Sequence, residues 1–284
     1  MNQLFLVATP IGNLEDISIR ALECLRNADL IACEDTRHSR ILLDHYDIHV
    51  PTTSYHEHNK YDKAHELVLE LKRGKNIALI TDAGTPGISD PGEELVKEAL
   101  GAGISVTSVP GACAVITALS MCGLSSRRFV FEGFLDSDKK ERKAALERIK
   151  DESRTIVIYE APHRIKKTLA ELKTVLGGSR ALRICRELTK KFEEVLPLTI
   201  DEAIAYFDLH EAKGEMVVVI EGQDPTVLKE KNISNWENIS PEEHLEHYLS
   251  QGLSEKEAMK ELARDRGVSR RDIYKLLKIK DLPD

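Results

Sequence analysis

Two carboxylates, three hydroxyls and three glycines fall within the twelve residues Thr81-Asp-Ala-Gly-Thr-Pro-Gly-Ile-Ser-Asp-Pro-Gly92. The apolar run 76–80 precedes them and a helical pattern, 93–100, follows. A strand that ends in such a turn and opens a helix is where an open α/β sheet holds a ligand. Gly84, Gly87 and Gly92 allow close backbone approach, while Thr85, Ser89 and Asp90 offer polar groups and a helix cap. A second turn, Ala8-Thr-Pro-Ile-Gly-Asn-Leu-Glu-Asp16, also follows an apolar run, and a third, Val109-Pro-Gly-Ala-Cys-Ala114, opens a helix of small apolar residues. Three turns at one sheet edge can converge on one ligand.

Other clusters carry charge. Glu34-Asp-Thr-Arg37 stands at the end of an apolar run, where Arg37 is suited to gripping a phosphate. Tyr159-Glu-Ala-Pro-His-Arg164 follows another, and His163 and Arg164 are expected to face a cleft. In Ser54-Tyr-His-Glu-His-Asn59, His56 and His58 share one face of an extended segment; with no third ligand evident, a loop touching substrate is preferred over a metal site. No G-x-G-x-x-G, no G-x-x-x-x-G-K-[ST] and no H-E-x-x-H occurs, so the dinucleotide, nucleoside-triphosphate and zinc-protease readings lose their main support.

Elements that could position these groups follow a clear rhythm. Runs at 4–9, 29–34, 52–55, 76–81 and 104–110 alternate with helical patterns at 18–26, 37–46, 60–72 and 92–102, which predicts a doubly wound, largely parallel sheet in an N-terminal domain, 1–122. Runs at 129–135, 154–160, 180–187, 194–200 and 215–221 are spaced less evenly and predict a mixed sheet in a second α/β domain, 123–224. Residues 225–284 read as a linker, polar from 223 to 240, and a helical tail with a helix-turn-helix-like order. Arg264, Arg266, Arg270, Arg271, Lys275, Lys278 and Lys280 give that tail a basic face, although a solvated helix would look the same. The run Lys139-Lys-Glu-Arg-Lys143 reads as a solvated helix start beside a mobile loop. His244 and His247 are expected on an exposed helix.

Composition bounds the rest. The chain is 42% hydrophobic and 31% charged, and no stretch reaches the ~20 apolar residues of a bilayer span. The N-terminus lacks the basic start of a signal peptide, and five cysteines without a C-x-x-C pair fit reduced thiols, so a cytoplasmic protein without structural metal is expected. A net charge of −8 leaves any nucleic-acid binding to local patches.

Taken together, Val7-Ala-Thr-Pro-Ile-Gly-Asn-Leu14, Glu34-Asp-Thr-Arg37, Ser54-Tyr-His-Glu-His-Asn59, Thr81-Asp-Ala-Gly-Thr-Pro86, Val109-Pro-Gly111, Tyr159-Glu-Ala-Pro-His-Arg164 and Arg186-Glu-Leu-Thr-Lys-Lys191 resemble the ribosomal RNA small subunit methyltransferase I family, within the tetrapyrrole-methylase-like superfamily. The resemblance covers residues 4–221. It implies a class III fold of two α/β domains with a cleft between them, S-adenosylmethionine as methyl donor, and 2′-O-methylation of a cytidine near the decoding centre of 16S RNA. It further implies the small ribosomal subunit as partner and a homodimer. By motif, the donor would contact Pro10, Ile11, Gly12, Asp82, Gly84, Thr85, Gly111, Cys113, Ala114, Tyr159, Glu160, Leu188, Glu215 and Met216. Because the donor's methyl carbon is already electrophilic, alignment of the ribose hydroxyl is the main task, with Glu187, Lys190, Arg37 and Asp82 as candidates to assist it. RNA contacts are expected at Arg37, His56, His163, Arg164, Arg270, Arg271 and Lys275. The rival readings are a tetrapyrrole-type small-molecule methylase and a noncatalytic RNA-binding assembly factor.

Overall fold

A computed structural model describes residues 2–236 and 239–278. Its elements are β1 (Gln3–Val7), α1 (Ile19–Arg26), β2 (Leu30–Cys33), α2 (Thr36–His45), β3 (Thr52–Ser54), α3 (Lys60–Lys72), β4 (Ile77–Ile80), α4 (Gly92–Gly101), β5 (Ser105–Val109) and α5 (Ala114–Met121). There follow β6 (Phe129–Phe134), α6 (Lys139–Ile149), β7 (Thr155–Glu160), α7 (Ile165–Leu176), β8 (Ala181–Arg186), β9 (Glu194–Thr199), α8 (Ile200–Leu209) and β10 (Met216–Ile220). The tail holds α9 (Pro225–Trp236), α10 (Pro241–Ser250), α11 (Glu255–Asp265) and α12 (Arg270–Lys278).

The first sheet has the order β3-β2-β4-β1-β5 and is parallel throughout. Its strands are short and apolar because helices cover both faces. Leu4, Ala32, Ile77 and Leu79 point to the side of α3 and α4; Val7, Ile31, Cys33, Ala78 and Ile80 point to the opposite side, with α1 and α2. The second sheet, β6-β7-β10-β8-β9, is mixed as its uneven spacing predicts: β6 and β7 are parallel and the other pairs antiparallel. The apolar face of α5, Val115, Ala118 and Leu119, packs with Val157, Cys185, Val217 and Val219 of this second sheet. A helix that follows the last strand of one sheet thereby helps to build the core of the next.

Tyr55, 1% exposed just beyond β3, donates its hydroxyl to the Pro91 carbonyl at 2.8 Å and accepts the Leu95 amide at 3.1 Å. It thus satisfies a free amide of the first turn of α4 and fixes where that helix starts. Tyr55→Phe strips the buried Leu95 amide of this acceptor, while the Pro91 carbonyl keeps the Glu94 amide at 3.2 Å, and is expected to cost about 1–3 kcal/mol in urea denaturation.

By contact density both sheets belong to one compact unit, which runs through Glu147 and resumes over Thr155–Glu221; Arg148–Arg154 and the chain from Gly222 onward form the other. In that second unit Ser240 and Ser254 start α10 and α11 with reciprocal capping boxes to Glu243 and Glu257, and Leu262, Ala263 and Ile273 form its core. Two expectations change there. Residues Pro225–Trp236 form α9 where the polar composition suggests a linker. His244, expected on an exposed face, is fully buried, its ring stacked on Trp236 at 3.5 Å between centroids and its Nδ1 accepting from Arg266 Nε at 3.3 Å. Neighbouring glutamates hide this burial in the sequence. Among the described residues no helix is long and apolar enough to cross a membrane.

Candidate active site

The three glycine-containing turns are tied to one another. Thr9 and Gly84 exchange backbone hydrogen bonds of 2.9 and 3.1 Å, possible because Gly84 takes φ +86°. The Thr9 hydroxyl donates to the Thr81 carbonyl at 3.1 Å, and the Thr85 hydroxyl donates to the Ala112 carbonyl at 3.1 Å. Asp90 folds the rest of the long turn by accepting the amides of Gly87, Ile88 and Gly92 at 2.7–3.0 Å.

The second sheet meets these turns directly. A β-bulge in β6 between Phe131 and Gly133 leaves Gly133 at φ +65°, so close to Ser89 that a Cβ there would lie 2.9 Å from its hydroxyl. The bulge turns the next residue, Phe134, toward the cavity, with its ring 5.3 Å from that of Tyr159. Beyond β8, Glu187 and Thr189 hold φ of 51° and 64°, unusual for residues with side chains. This kinked segment approaches Gly12 closely enough that a Cβ would come within 2.7 Å of the Leu188 carbonyl oxygen.

Between them lies a cavity of about 700 Å³, within the ordinary range for a small-molecule site. Pro10, Ile11, Gly12, Asp82, Gly84, Thr85, Cys113, Ala114, Tyr159, Leu188, Glu215 and Met216 all line it, and so do Glu187 and Lys190. Gly111 and Glu160 do not. Gly111 instead packs on Ala8, where a Cβ would come within 2.9 Å of the Ala8 Cβ. Glu160 is fully buried, accepting from the Thr168 hydroxyl and the Ala161 amide, with Arg164 at 3.3 Å and Arg142 at 3.9 Å. Its place at a strand end suggests a cleft residue, but the two arginines turn it inward.

The candidate RNA contacts are scattered. Arg37 is 90% exposed in its side chain and pairs with Asp35 at 3.0 Å, which holds the Asp35 carboxyl down at about 2. His163 is exposed, and Arg164 is half-buried, bonded to Glu160 and the Leu135 carbonyl. His56 has a buried Nδ1 without a partner among the described residues. In the second unit Arg270, Arg271 and Lys275 are exposed on α12; Lys280 lies outside the described residues.

Residues that no turn motif identifies also line the cavity, His38, Ser39, Ile41 and Leu42 from α2 and Phe134 from β6, and Leu14 of the first turn joins them from the short 3-10 turn Leu14–Asp16. The α2 residues show helical spacing, which in a sequence looks like any amphipathic helix. Five carboxylates, Glu34, Asp82, Asp90, Glu187 and Glu215, face the cavity against one lysine, Lys190. Burial, then the nearby Asp82 and Asp90, push the Glu34 carboxyl above the usual range, with His56 opposing. Burial raises the Tyr159 phenol to about 12.

Comparison with known proteins agrees with this architecture. The family model of the Tetrapyrrole (Corrin/Porphyrin) Methylases matches residues 3–204. The solved structure of the methyltransferase CobJ superposes with a TM-score of 0.62 over 78% of this chain and 95% of its own, at 15% identity, a likeness of fold. The ribosomal RNA small subunit methyltransferase I of Halalkalibacterium halodurans is 48% identical over 96% of this chain and 93% of its own, and that of Bacillus subtilis 46% identical over 99% and 95%. The chain belongs to the ribosomal RNA small subunit methyltransferase I family.

As a member of this family it is an S-adenosylmethionine-dependent methyltransferase, and the cavity fits that donor. Ile11, Leu188, Met216 and Tyr159 supply apolar wall, and the surplus of carboxylates suits a molecule carrying a sulfonium and an ammonium charge. In this rRNA small subunit methyltransferase I family member, Lys190 Nζ lies 3.0 Å from Glu187 Oε1, so the lone cation of the wall is held in place by a neighbour in the same kinked segment.

Proposed function

We propose that this chain transfers a methyl group from S-adenosylmethionine to the 2′-hydroxyl of a cytidine near the decoding centre of 16S ribosomal RNA, acting on the assembled or nearly assembled small subunit. The observation that carries the reading is the acidic, apolar-walled cavity closed by turns from both sheets, in a chain nearly half identical to proteins named as methyltransferases of small-subunit ribosomal RNA. Pro10, Ile11, Gly12, Asp82, Gly84, Thr85, Cys113, Ala114, Tyr159, Leu188, Glu215 and Met216 are the proposed donor contacts.

Such a wall favours the cationic donor over its product, which loses the sulfonium charge when the methyl group leaves, so release follows transfer. A site that excludes water and holds the acceptor oxygen in line with the methyl–sulfur bond supplies most of the acceleration through orientation. Lys190 steadies negative charge on the acceptor or its phosphate, and Glu187 holds Lys190. A cavity of this depth suits a nucleotide splayed out of the RNA stack. Arg37, His56 and His163 are proposed to meet RNA around it, and Arg270, Arg271 and Lys275 to add contacts from the tail. A homodimer in the cytoplasm is expected.

Tritium transfer from labelled donor to small subunits that lack the endogenous modification tests this, with free ribosomal RNA and a porphyrinogen as parallel substrates. Alkali-resistant label at one dinucleotide of the subunit RNA is the expected result. Label only in the porphyrinogen, or none anywhere despite donor binding, would overturn it in favour of a small-molecule methylase or an assembly factor.

A further inference from the structure

Most of the carboxylates that face the cavity are already committed. Asp82 accepts the Asp35 amide at 3.2 Å, Asp90 accepts three amides of its own turn, and Glu187 is paired with Lys190. Two are not: Glu34, which follows β2 of the first sheet, and Glu215, which precedes β10 of the second, have no hydrogen-bond or ion-pair partner among the described residues. Glu215 adjoins Met216 on the proposed donor side. Glu34 instead leads into α2, whose residues His38, Ser39, Ile41 and Leu42 form a stretch of wall that the donor set does not use. On that wall the Ser39 hydroxyl, in a residue only 3% exposed, has no normal hydrogen-bond partner among the described residues, only the weak Cys33 thiol near it. A buried hydroxyl left in that state calls for a polar group from a ligand.

We propose that the α2 wall receives the acceptor nucleoside and that Glu34 is the catalytic base for its ribose 2′-hydroxyl, an assignment that rests on the function proposed above. The 2′-oxygen forms the new bond to the methyl carbon, the methyl–sulfur bond breaks with its electron pair remaining on sulfur, and the hydroxyl proton passes to a Glu34 carboxylate oxygen and then to water. The groups around Glu34 suit the task. Asp82 after β4, Asp90 before α4 and Glu215 before β10 repel its negative charge, and His56 after β3 is the one opposing group. A carboxylate so placed holds a proton more readily than an ordinary glutamate.

The test uses the full chain with Glu34→Gln and Glu34→Asp. Donor affinity by titration calorimetry is expected to stay within about twofold in both, while Glu34→Gln lowers single-turnover methylation of small subunits by about 10²–10⁴-fold. Wild-type rate should rise with pH through one ionisation, that slope should vanish in Glu34→Gln, and Glu34→Asp should keep part of the rate together with the slope. In the free protein, the carboxyl carbon signal missing from Glu34→Gln should titrate above the ordinary glutamate value of about 4.3; titration below it overturns the assignment. So does a Glu34→Gln enzyme of undiminished rate, or one whose donor affinity falls and whose rate returns at saturating donor, since Glu34 would then bind the donor. Wild type that labels no subunit removes the proposal together with the function it rests on, whereas labelled wild type with an unimpaired Glu34→Gln removes the proposal alone.

Discussion

Arg142→Met is expected to lower folding stability by about 3–5 kcal/mol, the cost of stripping one partner from a buried ionic cluster. The Arg142 guanidinium, in a residue 3% exposed, donates to Glu171 Oε2 and the Thr168 hydroxyl at 2.6 Å, and to the carbonyls of Leu135 and Asp136 at 3.3 and 3.4 Å. It stands 3.9 Å from the fully buried Glu160. Without it Glu160 keeps Arg164, Thr168 and the Ala161 amide, which places the loss toward the lower end of the range. At about 2–4 °C per kcal/mol for a unit of this size, a fall in Tm near 10 °C follows. The cluster also joins stability to the site. Arg142 and Arg164 both hold the Leu135 carbonyl, and Phe134, one residue earlier, lines the cavity against Tyr159. Methylation assayed where the variant remains folded should therefore show a higher KM with a smaller change in kcat. In a double-mutant cycle, Arg142→Met with Glu160→Gln should be less destabilised than the two single losses added together. Additive losses, or a Tm unchanged by Arg142→Met, would show that the cluster is not a unit.

The same cluster shows where the sequence is silent. Strand positions, the parallel and mixed sheets and the convergence of the three turns are all legible, because they depend on apolar runs, spacing and glycine, which are local properties. Glu160 is the counterexample. It sits in a strand-to-helix turn just like those that line the cavity, yet it faces inward because Arg142 approaches from a helix eighteen residues earlier in the chain. The run 139–143 reads as a solvated helix start and conceals that one of its five residues is buried. His244 follows the same rule, its burial set by Trp236 and Arg266 on other elements of its unit. The α2 wall escaped for the opposite reason: Ser39 and Leu42 have the spacing of an ordinary helix face, and only the location of β2 within the sheet turns that face toward the cavity.

Gly12→Ala should separate site geometry from stability. The added Cβ would lie 2.7 Å from both the Leu188 carbonyl oxygen and Lys190 Cγ, and 2.9 Å from the Thr189 hydroxyl. Lys190 Cγ and the hydroxyl belong to side chains that can turn aside, but the carbonyl cannot move alone. It belongs to a segment pinned by the hydrogen bonds Lys190 N–H to Glu187 O at 3.0 Å, Thr189 N–H to Glu193 Oε2 at 2.7 Å and Glu193 N–H to Lys190 O at 3.1 Å. With Glu187 and Thr189 already at positive φ, the segment has little backbone freedom left, so the clash pushes the first turn and the 187–190 segment apart as bodies. Both line the cavity. A displacement of several tenths of an ångström is enough to misalign the in-line transfer geometry, and kcat/KM is expected to fall by about 10²-fold. Overpacking at one such contact costs about 1–3 kcal/mol, so the protein stays folded and weaker donor binding is measurable by calorimetry. Gly101→Ala supplies the contrast: it lies at the end of α4 with no atom within 4 Å of the added carbon, and there the substitution should stabilise by about 0.5–1 kcal/mol with activity unchanged. If Gly12→Ala retains wild-type kcat/KM and donor affinity, the close approach of the two sheets at this point does not set the geometry of the site, and catalysis must rest on groups farther along the wall.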